Sequence, residues 1–379
     1  MARSAFKHTK ITGISVVVPD EIVSIDDELE YFNNNSKMLA KAKMIVGYGT
    51  RHIAPENCTP TDLCEAAARK LISDMGIDIN GIDAIVAVIS KPDFTRPGAA
   101  CVLHGRLNLP ESCAAFDVNH GCAGYNYGLW LVSSLIDGGA CKKVLMVAGD
   151  KDSSRSDTNR IVRHLFGDAG SATLLEYSAQ DIPSFYNAYA DGKGYHTLIT
   201  PAGGHRIKIG KDVLDLVITD QNDVNWKLTQ NFMDGMAVFN FTMTEVPPSI
   251  ADIMDYAGYS FDDIDFFALH QANKQIVSTI ASKLNIPSDK YSAATFTKYG
   301  NKSTASLPGV ISHLLKDKVT NGKQRLLLSG FGIGLTWSAA VVELDHIYCS
   351  GMVVQNFDHI RSREEEIKFW TDRIAGRGK

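Results

Sequence analysis

Gly76-Ile-Asp-Ile-Asn-Gly-Ile-Asp-Ala-Ile-Val-Ala-Val-Ile89 has a counterpart later in the chain, Gly258-Tyr-Ser-Phe-Asp-Asp-Ile-Asp-Phe-Phe-Ala-Leu269. A helical pattern precedes each glycine, Cys64-Glu-Ala-Ala-Ala-Arg-Lys-Leu-Ile72 in the first copy and Ile250-Ala-Asp-Ile-Met-Asp255 in the second. Glycine suits a helix end because it adopts the left-handed backbone at no steric cost. In both copies an Ile-Asp pair, its Asp seven residues past the glycine, opens an apolar run. Runs without alternation predict strands covered on both faces. Asp83 and Asp265 stand 182 residues apart, and Val144-Leu-Met-Val-Ala-Gly149 answers Leu326-Leu-Leu-Ser-Gly330 at almost the same offset. Gly170-Ser-Ala-Thr-Leu-Leu-Glu176 then answers Thr336-Trp-Ser-Ala-Ala-Val-Val-Glu343 as a further strand.

The sequence therefore predicts a duplicated α/β unit, two pseudo-symmetric halves that are each a sheet covered by helices. The halves span 1–178 and 179–345, with the boundary in the loop near 178–184. Residues 346–379 form a C-terminal extension, in which 357–374 place Ile360, Ile367, Trp370 and Ile374 on one face of an amphipathic helix.

Composition narrows the class of protein. With 45% hydrophobic and 21% charged residues, the 379-residue chain can bury a large core. A net charge of -5 without a long basic block argues against nucleic acid as a partner. The apolar run at 14–18 is too short for a signal-peptide core or a membrane span, which predicts a cytoplasmic chain. Seven scattered cysteines without a C-x-x-C pair point to a reducing compartment and away from a disulfide framework or thiolate zinc site.

One cysteine stands apart. Cys122 lies in Phe116-Asp-Val-Asn-His-Gly-Cys-Ala-Gly-Tyr-Asn, where an apolar strand enters a glycine-flanked turn and a helical pattern follows. A sulfur at a helix N-terminus is favoured as the nucleophilic thiolate; a small buried thiol is the competing reading. His270 follows the second-half strand directly, at the strand end where α/β sheets place ligands, although a satisfied core histidine fits as well. Asn301, after Gly300, reads as turn chemistry or as a site residue. The 182-residue offset carries Cys122 onto Thr304, so two mirrored helix entrances should face one another and bring Asn301 and Cys122 to one cavity. Ser329-Gly-Phe-Gly-Ile-Gly-Leu-Thr-Trp337 leads into a strand, not a helix, so its free amides suit an oxyanion hole better than a dinucleotide.

Across residues 8–345 the chain resembles the β-ketoacyl-acyl carrier protein synthase III group of the thiolase superfamily. The resemblance rests on Arg51-His-Ile-Ala, Phe116-Asp-Val with Gly121-Cys-Ala-Gly, Phe166-Gly-Asp-Ala-Gly-Ser-Ala, His270-Gln-Ala-Asn, Tyr299-Gly-Asn-Lys-Ser-Thr-Ala-Ser-Leu-Pro and Gly332-Ile-Gly-Leu-Thr-Trp. It implies a thiolase-like fold, a homodimer and no metal or organic cofactor. It also implies Cys122 as the acylated nucleophile, the amides of Cys122 and Ile333 as oxyanion donors, and His270 with Asn301 as the pair that promotes decarboxylation of a malonyl thioester.

Departures from the family pattern fall on substrate recognition. Residues 41–46 lack the Trp and Arg that resembling enzymes set against coenzyme A, which favours an acyl carrier protein as donor and leaves coenzyme A open. Arg155 remains a candidate at that entrance. Arg96 replaces an apolar residue that reaches the partner's acyl pocket, which predicts a polar or anionic acyl group. Lys274 and Lys283 are the candidates to meet an acidic carrier. Ile333 replaces a glycine and narrows the site. A specialised pathway fits these departures as well as fatty-acid initiation does. The alternative within the fold is acyl transfer to an alcohol or amine without decarboxylation.

Overall fold

The computed structural model describes residues 2–153, 159, 162–221 and 224–377. The strands of its two main sheets are β1 (Ala2–Phe6), β2 (Thr9–Pro19), β3 (Ala84–Val88), β4 (Ala114–Asp117), β5 (Lys143–Asp150), β6 (Ala169–Tyr177), β7 (Ser184–Ala190), β8 (Phe266–Leu269), β9 (Lys323–Gly332), β10 (Thr336–Asp345) and β11 (Tyr348–Gln355). The helices that matter here are α1 (Pro60–Met75), α2 (Ala99–Arg106), α3 (Gly124–Asp137), α4 (Gly235–Ala257), α5 (Lys274–Lys283), α6 (Ala294–Tyr299), α7 (Ser306–Leu314) and α8 (Arg363–Ile374).

The first sheet runs β11-β2-β6-β5-β3-β4 and the second β1-β7-β10-β9-β8. Orientation repeats as well as order. β2 and β6, β6 and β5 are antiparallel and β5 and β3 parallel, just as β7 and β10, β10 and β9 are antiparallel and β9 and β8 parallel. The duplicated motif has a duplicated cause. Gly76 and Gly258 end α1 and α4 in the left-handed region, at φ 61° and 71°. Asp83 accepts the Lys142 and Lys143 amides, and Asp265 accepts the Arg325 amide, so each aspartate clips its strand to the start of the next.

Three cores set the layering. α1 and α2 cover the outer face of the first sheet through Leu63, Leu71 and Leu103, and α4 and α5 cover the outer face of the second through Ile250, Ile253 and Val277. Between the sheets, Tyr125, Leu129 and Val132 of α3 meet Leu307, Val310 and Ile311 of α7 in one core. These two helices follow Cys122 and Thr304, so both helix entrances open from the central layer.

Two features differ from the sequence reading. The 346–379 extension is more than a helix, because β11 pairs parallel with β2 and completes the first sheet. In exchange β1, from the N-terminal half, pairs antiparallel with β7 in the second. Edge pairing of this kind depends on the exposed ladder of a distant strand, which leaves no periodic mark in the sequence. The terminal helix also begins later than 357, at Arg363, because Ser362 and Glu365 form a capping box there. Its apolar face is only partly covered: Trp370 meets Phe94 edge-on, whereas Ile374 stays exposed.

Candidate active site

Cys122 sits in the turn between β4 and α3, two residues before the helix starts. It is buried, and glycines let it be so: a methyl group at Gly332 would come within 2.9 Å of Cys122 Cβ, and one at Gly330 within 3.1 Å of the Cys122 carbonyl oxygen. The end of β9 therefore lies directly on the cysteine. From the other half, Ser303 Oγ stands 3.6 Å from the sulfur. The mirrored entrances meet, as the offset predicts: a methyl at Gly124 would lie 3.4 Å from Thr304 Cγ2.

The electrostatics correct one expectation. Burial pushes the Cys122 thiol up to about 12, the carboxylates of Asp150 and Asp152 add to the rise, and the Ser303 hydroxyl opposes it. A sulfur at the helix terminus alone would be favoured as a thiolate. In the fold, loss of water works against the thiolate that the helix end favours. Burial also raises Cys58, Cys64, Cys113, Cys141 and Cys349. What separates Cys122 from them is its surroundings rather than its acidity.

His270 emerges from β8, its amide bonded to the Ser329 carbonyl and its ring edge-on to Phe331 at 5.2 Å. Burial, with a smaller contribution from the charge of Lys302, brings the imidazole down to about 3, so it is neutral. Its Nδ1 is buried without a hydrogen-bond partner among the described residues. The rest of the His-Gln-Ala-Asn segment holds the loop. Gln271 donates to the Leu269 and Ser292 carbonyls and accepts the Phe296 amide, while Asn273 caps α5 by accepting the Ile276 amide.

Asn301 is anchored across the halves. Its amide donates to the Leu165 carbonyl at 2.9 Å, and its carbonyl accepts from Gly167 N at 3.0 Å. The side-chain Oδ1 accepts the Ser303 amide at 2.9 Å, which turns Nδ2, the donor, the opposite way. Ile333 follows Gly332 in the turn after β9, and its side chain lies over Gly121 at the nucleophile turn. Cys122, Asn301 and Ile333 thus belong to one set of contacting turns, which His270 joins through Phe331.

The proposed recognition residues are more dispersed. Arg96 is exposed, in the loop before α2, so within one chain it lines no enclosed acyl pocket; a guanidinium keeps its hydration there. Lys274 is exposed at the start of α5. Lys283 Nζ donates to the Met243 carbonyl at 3.1 Å, so it ties α5 to α4 and is less free than the sequence suggested. Arg155 lies outside the described residues. A groove of about 1220 Å³ beside α8, bounded by Asp62, Phe94 and Trp370, is lined by none of the candidate catalytic residues.

Sequence reasoning missed Asp150, at the end of β5. Its buried carboxylate accepts the amide and hydroxyl of Thr304 from one half and those of Ser90 from the other. An aspartate at a strand end was the only signal, and it reads as a turn residue.

Comparison with known proteins decides the family. Residues 116–192 match the family described as 3-oxoacyl-[acyl-carrier-protein] synthase III, and residues 254–344 match its C-terminal part. A Campylobacter jejuni chain provisionally named 3-oxoacyl-[acyl-carrier-protein] synthase 3 is 36% identical over 93% of this chain and 98% of its own. A Rickettsia massiliae β-ketoacyl-[acyl-carrier-protein] synthase III is 32% identical over 88% and 98%. The chain belongs to the 3-oxoacyl-[acyl-carrier-protein] synthase III family. A solved 3-oxoacyl-(acyl-carrier-protein) synthase of Burkholderia xenovorans, 34% identical, superposes with a TM-score of 0.86 over 93% of this chain and 99% of that one. The fold is the thiolase-like fold of this family, and the chain is a condensing enzyme. No described helix is long and apolar enough to cross a membrane.

Proposed function

We propose that the enzyme holds an acyl group on Cys122 and extends it by decarboxylative Claisen condensation with a malonyl thioester, working as a homodimer. The observation that carries this reading is the contact of Cys122 Sγ with Ser303 Oγ, in the turn that Asn301 opens. It sets the candidate nucleophile beside a candidate enolate site.

In the first half-reaction the Cys122 sulfur attacks the thioester carbonyl as the thiol gives up its proton. The amides of Cys122 and Ile333 receive the oxyanion. Its collapse expels the donor sulfur, which leaves as a thiol carrying the proton that Cys122 gave up. In the second, the bond between the malonyl α-carbon and its carboxylate breaks, carbon dioxide leaves, and the electron pair passes into an enolate. A neutral imidazole has one N–H to donate to the enolate oxygen, and Asn301 Nδ2 supplies the second donor. The enolate carbon then attacks the acyl group and releases Cys122 as thiolate.

The acyl donor is a carrier-protein or coenzyme A thioester, with Lys274 facing the carrier and Arg96 at the subunit boundary selecting a polar acyl group in a specialised pathway. Intact-protein mass against a panel of acyl thioesters tests the first half. The native enzyme should gain one acyl mass and Cys122→Ser none; an adduct on Cys113 or Cys141 would overturn the assignment. Adding malonyl thioester should then give a condensed product, whereas transfer to an alcohol or amine would leave malonyl carbon dioxide unreleased.

A further inference from the structure

Lys302 follows Asn301 directly and is fully buried. Its side chain runs between the 300–302 turn and α7. A methyl at Gly309 would strike Lys302 Cε at 2.7 Å, so glycine at that helical position makes room for it. Nζ donates to the Gly300 carbonyl at 3.2 Å and lies 5.5 Å from the Tyr299 ring centroid. Among the described residues no carboxylate comes within ion-pair range of it. A buried cation with one carbonyl and one ring is expensive to keep, and the fold provides the space for it.

The titratable groups around this lysine come from every neighbouring element. Tyr299 and Lys298 end α6, His313 comes from α7, His52 from the 50–52 strand and His270 from the end of β8. The positive charge of Lys302 acts on all three histidines. Burial keeps each of them below its ordinary range, to about 4 for His313 and about 3 for His270. Arg51, whose Cβ borders Gly300, is committed to a two-pronged pair with Glu28, and Asp150 is committed to Thr304 and Ser90. Burial brings Lys302 itself down to about 7, so its charge responds to pH near neutrality.

We propose that Lys302 is a positioning residue for decarboxylation. Through the Gly300 carbonyl it sets the turn that presents Asn301, and its charge, buried next to that turn, favours the negative charge as it moves from the departing carboxylate onto the enolate oxygen. In low-dielectric surroundings such a charge acts over several ångströms. This inference rests on the proposed condensation and deepens it.

The test is carbon dioxide release from labelled malonyl thioester, measured separately from acylation of Cys122. In Lys302→Met, which keeps the chain length, kcat for release should fall about 10-fold with little change in KM, while acylation stays within about twofold of native. The native enzyme should release carbon dioxide fastest below pH 7 and slow as pH rises through about 7, where the ammonium is lost; Lys302→Met should show no such limb. The native profile keeps the proposal testable even if the variant fails to fold. A native profile flat through pH 7, or equal losses of acylation and release in a folded variant, would overturn it. If the native enzyme becomes acylated yet releases no carbon dioxide, the condensation reading fails, and this inference with it.

Discussion

The two halves share strand order and orientation but place different side chains at matching positions. Cys122 in the first half corresponds to Thr304 in the second, Val88 to His270, and Asp150 to Gly332. Val88 packs under α3, close enough that a methyl at Gly124 or Gly128 would collide with it, so it is a floor beneath the nucleophile helix. Its counterpart, one position past β8, is a neutral imidazole. The symmetric scaffold brings two strand ends and two helix entrances together, and the proposed reaction divides the chemistry between them: sulfur on one side, donors to the enolate on the other.

The largest effect should come from breaking that division of labour. His270→Ala or Asn301→Ala should each lower carbon dioxide release about 10²-fold or more, the usual cost of one oxyanion donor. Both should still form some acyl-enzyme, whereas Cys122→Ala should release carbon dioxide and make no condensed product. Because the two donors act on one oxygen, the double variant should be little worse than the poorer single one. Wild-type release by Asn301→Ala would reduce that residue to a turn residue and dissolve the comparison.

A smaller effect should come from Asp150, which joins the halves rather than reacting. In Asp150→Asn one carboxylate oxygen becomes an NH₂ facing donors on Thr304 or Ser90, at a cost of about 2 kcal/mol. Burial raises Asp150 from 3.8 to about 6, so the folded protein binds the proton more tightly than the unfolded chain. Its contribution to stability is therefore highest at low pH and declines as pH rises from about 4 to about 6. Urea unfolding should show the gap between native and variant narrowing over that window and level above it. A gap that widens would mean that the carboxylate is held ionised by its four donors.

Much of this was legible before the fold, and the reason is local. Helix-ending glycines, unbroken apolar strands and glycine-flanked turns leave marks within a few residues, so the duplication and the setting of Cys122, His270 and Asn301 could be read directly. What escaped depends on distant partners. The exchange of β1 and β11 between sheets needs two free strand edges. The burial that pushes the Cys122 thiol up is encoded by no short segment. Asp150 and Ser303 acquire meaning only where the halves touch, and nothing local to Lys302 marks it as buried, because the space for it comes from Gly309 on α7.

The smallest expected effect separates two lysines on α5 that the sequence could not tell apart. Lys274 is exposed at the start of the helix, whereas Lys283 spends its ammonium on the Met243 carbonyl. An acidic carrier protein gains from a free surface cation mainly through faster encounter, so the contribution should be modest and screened by salt. Lys274→Ala should raise KM for a carrier-bound malonyl thioester a few-fold at low salt, and the difference should shrink as ionic strength rises. Lys283→Ala should change KM less, and should instead lower thermal stability slightly through the lost tie to α4. With a coenzyme A thioester in place of the carrier, both variants should match the native enzyme. If Lys283→Ala proves the more damaging to carrier KM, the docking face lies toward the far end of α5, and Lys274 would be only a helix-terminal charge.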